Sequence, residues 1–228
     1  MKGIVFLSML LTNLIIFASQ TERQVGEFNE LLLKSKFQVS LKQGTEFKVV
    51  IEVLEEGEDV ENLITEVKKG VLEIYTKKKD FKDKNFHVTV YFKDLTSIHV
   101  KNDGEVFTEP NVVIKQDSIA LNCSIGGKIK VGVEANSLSA TIKQGGSIML
   151  HGKASKFYAS VFTNGNLSAS KLENEQAWAE VKMGGTIILK PKEYLNAFVS
   201  MGGNIKYQGE PKKVDQEVKV GGEIKKIK

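Results

Sequence analysis

From Ser118 to the C-terminus, apolar and polar side chains alternate with period two, in blocks that repeat. The blocks align on a doublet: Gly126-Gly127, Gly145-Gly146, Asn164-Gly165, Gly184-Gly185, Gly202-Gly203 and Gly221-Gly222. The first residues of these doublets are 19, 19, 20, 18 and 19 positions apart. Three residues before the doublet stand Cys123, Ile142, Val161, Val181, Val199 and Val218; three after it stand Ile129, Ile148, Leu167, Ile187, Ile205 and Ile224. Five before it stand Leu121, four alanines and Gln216, and seven before it Ile119, Leu138, Phe157, Ala177, Leu195 and Val214. The residues between these columns are mostly polar. Period two marks strands with one buried face, whereas a helix would show 3.6 and would be weakened by paired glycines.

Each repeat therefore reads as strand, glycine corner, strand. A sharp corner calls for φ > 0, which glycine adopts at little cost and asparagine tolerates, so Asn164 fits a glycine position. One coil cannot bury its inner face alone; stacked coils do, with parallel strands about 4.8 Å apart. The expected fold is an all-β, parallel β-helix-like solenoid with coils of about 19 residues. Its last coil is polar where the others are apolar, at Gln216 and Lys226, and the closing Lys225-Lys226-Ile227-Lys228 adds charge that discourages edge-to-edge pairing.

Upstream the pattern is looser. Asp103-Gly104 and Gly44 are flanked by alternating apolar residues, and 71–76 and 86–92 are further strand candidates. Val60, Leu63, Ile64 and Val67 follow helical spacing, which predicts a short helix within 59–69, and 77–85 reads as a polar surface loop. No Pro/Gly/Ser linker divides the chain. A single domain over 30–228 is expected, looser over 30–100 and regular over 101–228.

Residues 1–20 differ in kind. Lys2, an apolar run from Ile4 to Phe17, and small residues Ala18 and Ser19 before polar sequence have the layout of a cleaved signal peptide, and the run is too short to span a membrane. The expectation is an exported protein of the periplasm, the outer-membrane surface or the extracellular space, with no transmembrane segment after cleavage. The only cysteine, Cys123, forms no internal disulfide and falls on a core column. The formal charge of +4 is scattered, which argues against nucleic acid as a partner.

Candidate chemistry is sparse. His87, His99 and His151 lie far apart without metal-ligand spacing and read as surface histidines, so no metal or cofactor is expected. Glu180 and Glu217 fall on one outward column two coils apart, about 10 Å by strand spacing, at the edge of the range for an inverting glycosidase. They carry the alternative reading, a polysaccharide-active β-helix lyase or hydrolase. The leading outward feature is aromatic. Tyr158 and Trp178 share a column on neighbouring coils, and Phe162 and Phe198 lie on the same strand face. Four aromatics over three coils predict an interaction site for a polysaccharide, a surface protein or a second copy of the chain. The expected function is non-catalytic binding through this outer face. The residues Gly126, Gly127, Gly145, Gly146, Gly165, Gly184, Gly185, Gly202, Gly203, Gly221 and Gly222 are assigned a purely structural role at the corners.

Three segments carry a resemblance. Phe37-Gln38-Val39-Ser40-Leu41-Lys42-Gln43-Gly44, the element Gly70-Val71-Leu72-Glu73-Ile74, and the closing Gly202-Gly203-Asn204-Ile205-Lys206-Tyr207-Gln208-Gly209-Glu210-Pro211 resemble the head GIN domain family of auto-transporter adhesins. The resemblance spans about residues 30 to 228, although many members carry Gly-Ser-Gly at the corners where this chain has Gly-Gly. It implies a right-handed parallel β-helix-like fold, an adhesin-like role, and no catalytic residues.

Overall fold

The computed structural model describes residues 20–53, 60–77 and 86–228. The chain runs through β1 (Gln20–Gln24), β2 (Glu30–Leu33), β3 (Gln38–Gln43), β4 (Lys48–Val53), β5 (Leu63–Lys68), β6 (Val71–Thr76), β7 (Phe86–Phe92), β8 (Ser97–Val100) and β9 (Glu105–Thr108). The repeat region follows as β10 (Val113–Cys123), β11 (Lys128–Ile142), β12 (Ser147–Thr163), β13 (Asn166–Met183), β14 (Thr186–Leu189), β15 (Pro191–Met201), β16 (Asn204–Tyr207), β17 (Lys213–Val220) and β18 (Glu223–Lys226). The predicted leader lies outside the described residues except for Gln20, which already opens β1.

Two ladders result. In the front ladder, strands run into the corner, in the order β5-β6-β2-β8-β10-β11-β12-β13-β15-β17; in the back ladder they leave it, in the order β1-β4-β7-β3-β9-β11-β12-β13-β14-β16-β18. Long strands such as β11 serve both ladders and bend between them, where the pairing skips Asn136, Ser155 and Glu175. The pairing is parallel throughout the repeats and keeps the predicted columns in register: Cys123 faces Ile142, Ile142 faces Val161, and Val161 faces Val181. The one 20-residue step leaves its extra residue as a bulge in β13, between Ser168 and Lys171, opposite Leu150 of β12.

The inward columns are buried as expected. Leu138, Ala140, Ile142, Phe157, Val161, Ala177, Val181, Leu195 and Val199 have no exposed surface. Cys123 belongs to the same core, its thiol facing the Ser147 carbonyl oxygen at 3.6 Å, and burial pushes its pKa up to about 12. A raised folded-state pKa means that the thiol's contribution to stability is fully present below about pH 9 and is lost as pH climbs toward 12. Iodoacetamide at pH 8 should therefore leave Cys123 unmodified in the native protein and alkylate it within minutes in guanidinium, as read by mass spectrometry.

At the corners, Gly145, Gly184, Gly202 and Gly221 take φ of +63° to +69°, and Asn164 takes +45° in the place of a glycine. The first repeat corner is set one residue earlier, at Ile125 and Gly126.

The N-terminal part departs from expectation in two ways. The stack is not in chain order: the coil β2–β3 lies between β6–β7 on one side and β8–β9 on the other. The helix predicted within 59–69 is only a 3-10 turn, Val60–Asn62, followed by β5. The spacing of Val60, Leu63, Ile64 and Val67 misleads because β5 is the outermost strand of its ladder. It pairs on one side only, antiparallel to β6, and buries only Leu63 fully. Lys77 lies in the loop as read, and the rest of 77–85 is outside the described residues.

Antiparallel β5 closes the front ladder, and β4 with β1 closes the back one. Arg23 of β1 joins the two, donating to the carbonyls of Leu63 at 2.5 Å and Val60 at 2.8 Å. The other end has no such closure. There Gln216 is exposed as predicted, Val218 is 42 % exposed, and Lys226 is paired with Glu210.

Candidate ligand-binding face

Outward side chains of the front ladder form columns parallel to the stack axis. One reads Ser97, Ala120, Ser139, Tyr158, Trp178, Asn196 and Asp215 in direct register. The next reads His99, Asn122, Thr141, Ser160, Glu180, Phe198 and Glu217.

Tyr158 and Trp178 stack with ring centroids 4.8 Å apart and planes 13° apart. That separation equals one coil spacing, so each ring turns its faces toward the coils before and after it. Tyr194 then meets Trp178 edge-on at 5.8 Å. Its hydroxyl donates to Asp215 Oδ2 at 2.9 Å, which helps hold that carboxyl below its usual range; the largest cause is Lys213 at 2.9 Å.

The four aromatics read from the sequence share this surface but not one environment. Tyr158 is 40 % exposed, while Trp178, Phe162 and Phe198 are half-buried. Trp178 has Tyr158 stacked on one face and Tyr194 in edge-type contact beyond it. Lys182 sits 4.3 Å from the Phe162 ring centroid and Lys219 5.2 Å from that of Phe198. The available aromatic face is therefore that of Tyr158 toward Ser139, where the column drops to small residues. Tyr194 was not read as a member. Its parity marks it as outward, but an 18-residue coil and a register shift after Asn174 bring it beside Trp178.

The histidines differ from a plain surface reading. His87 pairs with Glu52 at 3.3 Å and is partly exposed. His151 packs over Gly132, whose added Cβ would lie 2.6 Å from His151 Nε2, and that buried nitrogen has no hydrogen-bond partner. His99 shares a hydrogen bond with Ser124 Oγ at 3.3 Å. Burial, with Lys101 and Lys143 beside it, pushes its pKa down to about 4. His99, Lys101, Ser124, Lys143, Phe162 and Lys182 line a cavity of about 530 Å³ next to the aromatic column.

Glu180 and Glu217 do share a column, with Phe198 between them, and Glu180 pairs with Lys182 at 3.7 Å. Among the described residues no three His, Cys, Asp or Glu side chains gather as a metal site, and no helix is long and apolar enough to cross a membrane.

A family model described as "Putative auto-transporter adhesin, head GIN domain" matches residues 27–211. The chain belongs to the head GIN domain family. Solved structures share the architecture. A "putative adhesin" from Bacteroides fragilis NCTC 9343 superposes with a TM-score of 0.82 at 23% identity, over 92% of this chain and 96% of that one. A "putative lipid binding protein" from Parabacteroides distasonis ATCC 8503 superposes at 0.67 and 19% identity, over 92% and 96% of the two chains. A "putative adhesin" from Parabacteroides merdae ATCC 43184 superposes at 0.67 and 20%, with the same coverage. At these identities the likeness establishes the fold alone. No curated protein matches the chain at a significant level. Neither the family's description nor those of these structures names an enzyme, so the polysaccharide-degrading alternative gains no support.

Proposed function

We propose that this head GIN domain protein is an exported, non-catalytic surface protein that holds a glycan on the front ladder. The observation that carries the reading is the uncovered face of Tyr158 at the end of the Tyr158–Trp178–Tyr194 stack. A pyranose packed on that face would lie over Ser139. Thr141, Ser160 and Asn122 present hydroxyl and amide groups one column away. Aromatic rings bind sugars through their C–H faces, while neighbouring hydroxyls and amides exchange hydrogen bonds with the sugar hydroxyls. Strands stacked on both sides fix the rings, so little conformational freedom is lost on binding. The adhesin description of the family and the leader-like residues 1–20 support export to the surface.

Glycan-array binding with purified wild type and Tyr158→Ala tests the reading. The variant should lose at least about fivefold in affinity for whichever glycans bind, since a stacking contact of this kind is worth about 1 kcal/mol or more. Trp178→Ala should weaken binding less, through loss of support to Tyr158. Equal binding by all three proteins would remove this face from consideration.

A further inference from the structure

The column beside the corner, two residues before each doublet, reads Lys101, Ser124, Lys143, Phe162, Lys182, Ser200 and Lys219. Lysine recurs on alternate coils, with a small or aromatic residue between. Successive lysines therefore stand about 10 Å apart, two strand spacings along the stack axis. Over the first part of this run these outward columns hold no carboxylate among the described residues, the nearest being Asp103 at the corner itself. The column floor there is His99, Asn122, Thr141 and Ser160, and the far wall is Ala120, Ser139 and Tyr158. Among the described residues, no carboxylate lies within 4 Å of the Lys101 or Lys143 ammonium. Lys182 leans back over Phe162 into the same cavity of about 530 Å³, although Glu180 is 3.7 Å from it. A row of ammonium groups along a hydroxyl-lined trough, of which only Lys182 has a carboxylate within 4 Å among the described residues, is a site for a linear anion of matching charge spacing.

We infer that the glycan held on this face is a linear acidic polysaccharide with one carboxylate or sulfate per disaccharide, lying along the stack axis. Its charges meet Lys101, Lys143 and Lys182, and one sugar ring packs on Tyr158. The inference rests on the glycan reading above and adds charge, spacing and direction to it. Two strand spacings, about 10 Å, match roughly one disaccharide of an extended β-linked chain. A nucleic acid strand places a charge about every 3.4 Å, roughly three times too densely for this ladder. His99, hard to protonate first through burial and then through Lys101 and Lys143, lies within the trough and would feel an anion bound there.

The test uses the mature protein and four probes: hyaluronan hexasaccharide, unsulfated chondroitin hexasaccharide, neutral chitohexaose, and a ten-nucleotide oligothymidylate, with phosphatidylglycerol vesicles as a fifth arm. Calorimetry should show at least one acidic hexasaccharide binding about tenfold more tightly than chitohexaose. Lys101→Gln and Lys143→Gln should each weaken it about two- to fivefold, the upper range for one exposed ion pair. Raising salt from 0.05 to 0.5 M should narrow the gap to chitohexaose, because exposed charges are screened. Bound acidic hexasaccharide should also raise the His99 pKa in an NMR titration. The proposal is overturned if neither acidic hexasaccharide binds, if chitohexaose binds as well, or if the lysine variants change nothing. It is also overturned if oligothymidylate or the vesicles bind more tightly than both acidic sugars. If Tyr158→Ala abolishes binding of charged and neutral sugars alike while the lysine variants change nothing, the glycan face stands and the charge ladder falls.

Discussion

Phe157→Ala should destabilise the protein by about 3–5 kcal/mol, the usual loss for a fully buried phenylalanine. Phe157 has no exposed surface and is among the largest side chains sealed in the core. Its column neighbours are Leu138 on one side and Ala177 on the other. Along the whole column, only this coil carries an aromatic ring. The ring fills space that Ala177 leaves, so truncation leaves two small residues side by side. The strands cannot close the gap, because hydrogen bonds to both neighbouring coils fix their spacing. Urea denaturation followed by far-UV circular dichroism would read the loss as a lower midpoint. Phe157→Leu should recover more than half of it. A loss under about 1 kcal/mol would mean that the coils close over the cavity.

The second large effect lies at a corner. Gly146→Ala should cost more than about 4 kcal/mol and prevent accumulation of folded protein. Two causes add. Gly146 sits at φ +105°, and a Cβ there would lie 2.4 Å from the Gly127 carbonyl oxygen of the preceding coil. That oxygen accepts the Ser147 amide at 3.0 Å, so it cannot retreat without losing a hydrogen bond between coils. Gly221→Ala is the control. Its φ is +63° and nothing lies within 4 Å of the added carbon, so only left-handed strain of about 1–2 kcal/mol applies. Thermal melts of the two variants would separate backbone conformation from close approach. Similar losses in both would show that the coils adjust their spacing at Gly146.

Most of the repeat region is readable from the chain because its physics is local. Period two, a doublet every 19 or so residues and a set of apolar columns fix which side chains point inward, and Ile142, Val161 and Val181 lie where that reasoning puts them. The N-terminal stacking order is not readable in this way. Which of β6 and β8 flanks β2, and on which side, is decided by contacts some forty and seventy residues away, such as Leu31 with Leu72 and with Ile98. No local pattern encodes such a choice. Edge position similarly hid β5, whose half-exposed residues show helix-like spacing.

The candidate face was legible in part. Tyr158, Trp178, Phe162 and Phe198 all lie on one outward surface, as their parity requires. Which ring faces are free depends on rotamers and on Lys182 and Lys219, and column membership does not determine these. The lysine ladder was present in the sequence at fixed intervals. It becomes visible as a ladder once neighbouring coils are laid side by side, since its members are 37 to 42 residues apart along the chain.

The two ends of the stack are unlike, and this gives the molecule a direction of growth. At the β1–β4–β5 end, β5 runs opposite to the front ladder and β4 opposite to the back one, so this end lacks an edge formed by the two parallel strands of one coil. At the β17–β18 end such an edge remains. Duplication or deletion of a repeat can therefore lengthen or shorten the protein there one whole coil at a time. The molecule behaves as a ruler graduated in coils: every outward column keeps its spacing, and only the number of divisions changes.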